Sequence, residues 1–92
     1  DSSFYGLALQ DLVIDECKAH NVDFRECDLS NANLTYSDLS GCYFGNTNLS
    51  SADFSEATNY DIDIHQNIIK KAKFSRFEAI RLLDSLEIEL VD

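Results

Sequence analysis

Basic residues are nearly missing from the first three quarters of the chain. Residues 1–69 hold twelve Asp or Glu but only Lys18 and Arg25, so this part carries the whole formal charge of -10. Such a surface repels nucleic acid and favours cationic partners by long-range steering; acidity that serves only solubility is the alternative. Also absent is any run of about 18 apolar residues, the length a membrane span requires, and no basic segment followed by an apolar run suggests a signal peptide. A soluble cytoplasmic chain without membrane contact is expected. The three cysteines, Cys17, Cys27 and Cys42, form no CxxC pair and have no His companion at zinc-site spacing. They read as small inward hydrophobes in a reducing compartment. His20 and His65 are 45 residues apart and face outward in the repeat described next. No nucleophile–base pairing, phosphate-cradling glycine loop or metal-ligand cluster is visible. The expectation is therefore not an enzyme, with no cofactor and no metal. No initiator Met precedes Asp1 and the repeat is already running there, so a longer parent is expected.

What the chain does have is a period of five. Stepping from Phe4 gives Leu9, Ile14, Ala19, Phe24, Leu29, Leu34, Leu39, Phe44, Leu49, Phe54, Asn59, Ile64, Ile69 and Phe74, apolar everywhere except Asn59. A helix repeats about every 3.6 residues and a strand every 2, so neither element keeps these side chains on one face. A smaller residue sits two positions before most centres, and Asp or Asn often sits one before, as at Asp23, Asp28, Asn33, Asp38, Asn48, Asp53 and Asp63. A short fixed period means a solenoid whose units bury their apolar side chains only by stacking. Phe4, Phe24 and Phe44 recur at twenty, as do Leu9, Leu29 and Leu49. Four units per coil predict an all-β column with four walls, coils about 4.8 Å apart, and like residues stacked on like. At Asn59 the pattern predicts a local bulge, or an inward amide satisfied by backbone.

The unit small–Asp/Asn–large–x–x resembles the A(D/N)LXX motif of the pentapeptide-repeat family over about residues 2 to 74. That resemblance implies a right-handed quadrilateral β-helix. After Phe74 the period fades into SRFEAIRLLDSLEIELVD, where Ser75 and Glu78 predict a capping box and a helix from about Arg76 to Leu86. Ile88, Leu90 and Val91 suggest a short terminal strand. The division expected is 1–74 for the β-helix and 75–92 for a capping and dimerisation module. Ala79, Ile80, Leu82, Leu83 and Leu86 span about 160° of the helical wheel, with Phe77 extending the stripe, which is wider than one buried face requires. A two-fold homodimer through Phe77, Ile80, Leu83, Leu86, Ile88 and Leu90 is the expected use of the surplus; a helix that only closes the column is the alternative.

DIDIHQNIIKKAKF followed by a short helix and an apolar end is similar to the C-terminal part of the Qnr-type quinolone-resistance proteins. What that resemblance implies is a homodimeric acidic rod that mimics duplex DNA and acts on DNA gyrase and topoisomerase IV, protecting them from quinolone-type inhibitors. Unlike family members with loops projecting from the rod, this sequence shows no interruption between repeats. Candidate topoisomerase-facing acids are Asp15, Glu16, Asp23, Glu26, Asp28, Asp38, Asp53, Glu56, Asp61 and Asp63. Five of them, Asp23, Asp28, Asp38, Asp53 and Asp63, occupy the Asp/Asn position, where a side chain also serves to hydrogen-bond the corner backbone. The competing reading is a rigid interaction scaffold with no topoisomerase activity.

Overall fold

Every β-bridge among the described residues joins positions twenty apart, and all are parallel. Four columns result: Ser3–Asp23–Tyr43, Ala8–Asp28–Asn48–Ile68, Val13–Asn33–Asp53 and Lys18–Asp38–Thr58. The computed structural model describes residues 3–86, 88 and 91, and shows a repeat β-helix whose coils have four walls. We number the walls by their apolar centres: first Phe4, Phe24, Phe44; second Leu9, Leu29, Leu49, Ile69; third Ile14, Leu34, Phe54, Phe74; fourth Ala19, Leu39. Among the described residues only two pairs are long enough to count as strands, β1 (Asp53–Phe54) and β2 (Lys73–Phe74), which pair in parallel register. The walls are so short that almost the whole ladder consists of single bridges.

Between walls the chain turns through the left-handed region. Gly6, Asp11, Glu16, Asn21, Glu26, Asn31, Tyr36, Gly41, Asn46, Ser51 and Glu56 all have positive φ, one every five residues. Several corners are tied from two sides. At every one of these corners except Gly41 the N–H donates to the coil beyond, as from Glu26 to the Gly45 carbonyl at 2.8 Å. The Asp or Asn before the centre accepts from the N–H two residues on: Asp23 from Arg25, Asp28 from Ser30, Asn33 from Thr35, Asp38 from Ser40, Asn48 from Ser50, Asp53 from Ser55 and Asp63 from His65. These Asx turns explain the preference for Asp and Asn at that position. At Gly41 the corner needs its glycine twice over, since φ is +74° and a Cβ would lie 2.2 Å from the Asn21 side-chain oxygen.

The large centres fill the lumen, with Phe24, Leu29, Leu34, Leu39, Leu49 and Phe54 fully buried. Phe24 stacks on Phe44 with centroids 5.4 Å apart, and Phe54 on Phe74 at 5.0 Å. Like stacks on like, as the twenty-residue recurrence predicts. The first coil differs: Phe4, Leu9, Ile14 and Ala19 are half-buried, Val13 is 66% exposed, and Cys17 is exposed although it stands at an inward position. Only Cys27 and Cys42 are the buried hydrophobes the pattern predicts for all three.

The tail departs from expectation. α1 covers only Arg76–Ala79 and continues as a 3-10 helix, Ile80–Leu86. The capping box does not form: the Ser75 hydroxyl accepts from the Glu56 N–H at 2.6 Å, and Glu78 instead accepts from Arg81 at 2.8 Å. A distant backbone donor takes the local cap. Leu82 packs on the lumen, whereas Phe77 is 91% exposed. Ile88 and Val91 lie in no strand, and Leu90 is outside the described residues.

Candidate interaction surface

Corners and wall flanks face outward, so charge placed there is fixed by the coil. Of the ten acids singled out above, four gather on the third wall and the corner that follows it: Asp15 and Glu16 in one coil, Asp53 and Glu56 two coils on. Glu16 and Glu56 are corner residues with φ of 56° and 60°, and both are exposed. Asp15 is held by the Thr35 hydroxyl of the next coil. The other six are dispersed. Asp23, Glu26 and Asp63 flank the first wall, Asp28 the second and Asp38 the fourth, while Asp61 follows the early corner at Asn59.

Asp28, Asp38 and Asp53 are held ionised by hydrogen bonds at the turns they close. Asp53 lies below the usual carboxylate range, chiefly through the Ser55 hydroxyl. Asp28 is lowered by hydrogen bonds from Ser30 first, and Asp38 falls furthest, through the Ser40 hydroxyl, then Asn59, then His20. The His20 ring nitrogen is 2.9 Å from Asp38. Asp23 is also lowered, but by Arg25, whose guanidinium meets it at 2.9 and 2.8 Å. Asp23 thus presents little free charge. Arg25 lies between the Tyr5 and Tyr43 rings, 5.6 and 5.7 Å from their centroids, a rigid cation–π stack on the first wall that sequence reasoning missed. Its signal was available: residues 5, 25 and 43 are outward positions of one wall.

Asn59 resolves as an outward bulge. It is exposed with φ +58°, its amide donates to Asp38 at 3.1 Å and accepts from Arg81 at 3.3 Å, and the fully buried Tyr60 takes the lumen place instead. Tyr60 tilts against Phe54 and Phe74 at 5.8 and 5.5 Å. Its buried hydroxyl has no hydrogen-bond partner among the described residues, and burial, with the Glu78 carboxylate nearby, pushes its pKa up to about 12. Among the proposed dimer residues, Phe77, Ile80, Leu86 and Ile88 are exposed and Leu83 is half-buried. Leu90 is not described. Among the described residues no three His, Cys, Asp or Glu side chains are grouped to hold a metal. Among the described residues no helix is long and apolar enough to cross a membrane.

A parallel ladder with a twenty-residue coil, Asx turns and a corner every fifth residue makes a four-walled repeat β-helix, and the family model described as pentapeptide repeats matches residues 27–58 in eight copies. The chain is similar in structure to QnrB1, a plasmid-mediated fluoroquinolone resistance protein. Against its trypsin-treated form the TM-score is 0.51 at 20% identity, covering 97% of this chain and 45% of that one. Against full-length QnrB1 it is 0.50 at 21% identity, covering 94% and 43%. At such identities the likeness is one of fold, and the chain spans less than half the length of these neighbours. No curated protein matches it.

Proposed function

We propose that this chain is a non-catalytic, acidic DNA-mimicking protein of the cytoplasm that binds a type II topoisomerase, DNA gyrase or topoisomerase IV, and modulates or protects it from quinolone-type inhibitors. In this reading residues 1–74 form a right-handed column. The module at 75–92 joins two copies through Phe77, Ile80, Leu83, Leu86, Ile88 and Leu90. The observation that carries the reading is the alignment of Asp15, Glu16, Asp53 and Glu56 along one wall of a narrow rod. A duplex presents one charge per about 1.7 Å of axis, and basic grooves bind it largely through those charges. Here a net charge of -10 spreads over a long axis of 40 Å with cross-sections of 26 and 25 Å, about one per 4 Å, the same order as duplex DNA though below it. The resistance function named for QnrB1 is consistent with the proposal but belongs to that protein.

Gyrase supercoiling, titrated with this protein with and without a fluoroquinolone, tests it. Competition with DNA that strengthens at low salt is expected, and a quadruple variant at Asp15, Glu16, Asp53 and Glu56, each replaced by its amide, should lose most of it. An unaltered supercoiling and inhibition curve at saturating protein, for both gyrase and topoisomerase IV, would overturn the reading. One observation favours the scaffold alternative instead: five of the ten acids close Asx turns, a structural duty that Asn33 and Asn48 perform without charge.

A further inference from the structure

The β-ladder is interrupted on one wall. In the coil above, the N–H groups of Asn21 and Phe24 donate to the carbonyls of Ser40 and Tyr43, and the Val22 carbonyl accepts from Tyr43. The corresponding groups one coil on are the N–H of Gly41, the N–H of Phe44 and the carbonyl of Cys42. They make no hydrogen bond among the described residues, and the bridge column Ser3–Asp23–Tyr43 stops before Asp63. Pairing resumes at Asn46, whose N–H meets the Gln66 carbonyl at 2.7 Å. The cause is the bulge at Asn59: the corner comes two residues early, Tyr60 enters the lumen in its place, and the segment that follows leaves the ladder. The result is a groove of about 620 Å³ between Gly41–Gly45 and Asn59–Gln66, within the size range of ligand clefts.

We infer that this groove is a docking site for an extended basic peptide segment of a partner protein, which restores the missing ladder. Cys42 C=O and Phe44 N–H are spaced as an edge strand presents them, with the N–H of the Gly41 corner beside them, and backbone pairing to such an edge supplies affinity without regard to side chains. The charge on the rim selects the side chains. Arg25 and Arg81 are already engaged by Asp23 and Glu78. Asp61 and Asp63 also line the groove and have no cationic partner among the described residues. The uncompensated charge is negative and calls for Lys or Arg. The inference does not rest on the partner being a topoisomerase.

The test uses acetyl-Val-Lys-Val-Arg-Val-amide, its Glu-for-Lys/Arg counterpart and a backbone N-methylated version of the basic peptide, titrated into ¹⁵N-labelled protein. The basic peptide should shift Gly41–Gly45 and Asp61–Asp63 and slow amide exchange at Gly41 and Phe44. The N-methylated and acidic peptides should bind at least about tenfold more weakly. Asp61→Asn with Asp63→Asn, which leaves the lumen intact, should weaken binding about three- to tenfold. Asn59→Leu with Tyr60→Asn restores the five-residue step and should close the groove and abolish binding. Equal binding of the acidic peptide, shifts scattered over other walls, or Gly41 and Phe44 amides as protected in the free protein as that of Phe24 would each overturn the inference.

Discussion

At the scale of single residues, one aspartate knots together a corner, the bulge and the neighbouring coil. Asp38 accepts from the Ser40 N–H and hydroxyl, from Asn59 and from His20. Its folded pKa lies below the ordinary value of 3.8, so its stabilisation is complete above that value and is lost as pH falls through the folded one. Asp23, Asp28 and Asp53 act in the same sense. Thermal melts should therefore show Tm level near neutrality and falling below about pH 4. Asp38→Asn should flatten part of that fall. The Asp/Asn position was legible in the sequence because its duty is local, a bond to the N–H two residues away. Asn59 was only half legible. Either Asn59 or Tyr60 fits a place beside the centre, and the choice follows from where the corner falls, which the five-residue count does not state.

At the scale of the wall and the helix, burial rises sharply after the first coil, and the cost of truncation should follow it. Leu39→Ala, at a fully buried centre, should lower unfolding free energy in urea by about 2–5 kcal/mol. Leu7→Ala, 47% exposed on the first coil, should cost less than about 1 kcal/mol. The walls were readable because stacking at twenty residues makes each large side chain meet its own kind. The helix end was not, because Ser75 answers to Glu56 nineteen residues away rather than to its own first turn. Phe77, on the exposed side of α1, offers a direct test of two-fold association. Phe77→Asp should convert a sedimenting dimer to monomer at micromolar concentration with Tm nearly unchanged, and a wild type that sediments as monomer throughout would remove that part of the proposal.

For the whole molecule, the spacing of charge sets how strongly salt should weaken partner binding. A duplex 40 Å long carries about 24 phosphates at one per 1.7 Å, against a net of -10 here. If the rod occupies a DNA-binding groove, the slope of log affinity against log salt should be negative but shallower than that of DNA in the same groove, measured by fluorescence anisotropy. The concentration of acidity in residues 1–69 was plain in the sequence. Its arrangement was not: the ten candidate acids occupy all four walls, and only the coil geometry picks out the four that share one.

The left-handed corners have a consequence for separating folding from recognition. Glu16, Glu26 and Glu56 occupy a conformation that costs an L-residue roughly 1–2 kcal/mol, whereas glycine enters it freely and loses only about 0.5–1 kcal/mol in chain entropy. Replacing these glutamates with glycine should leave the column as stable or raise its midpoint in urea, while stripping carboxylates from its outermost edges. Weaker partner binding by a sturdier rod would then report on charge alone, a dissociation that truncating the lumen never offers.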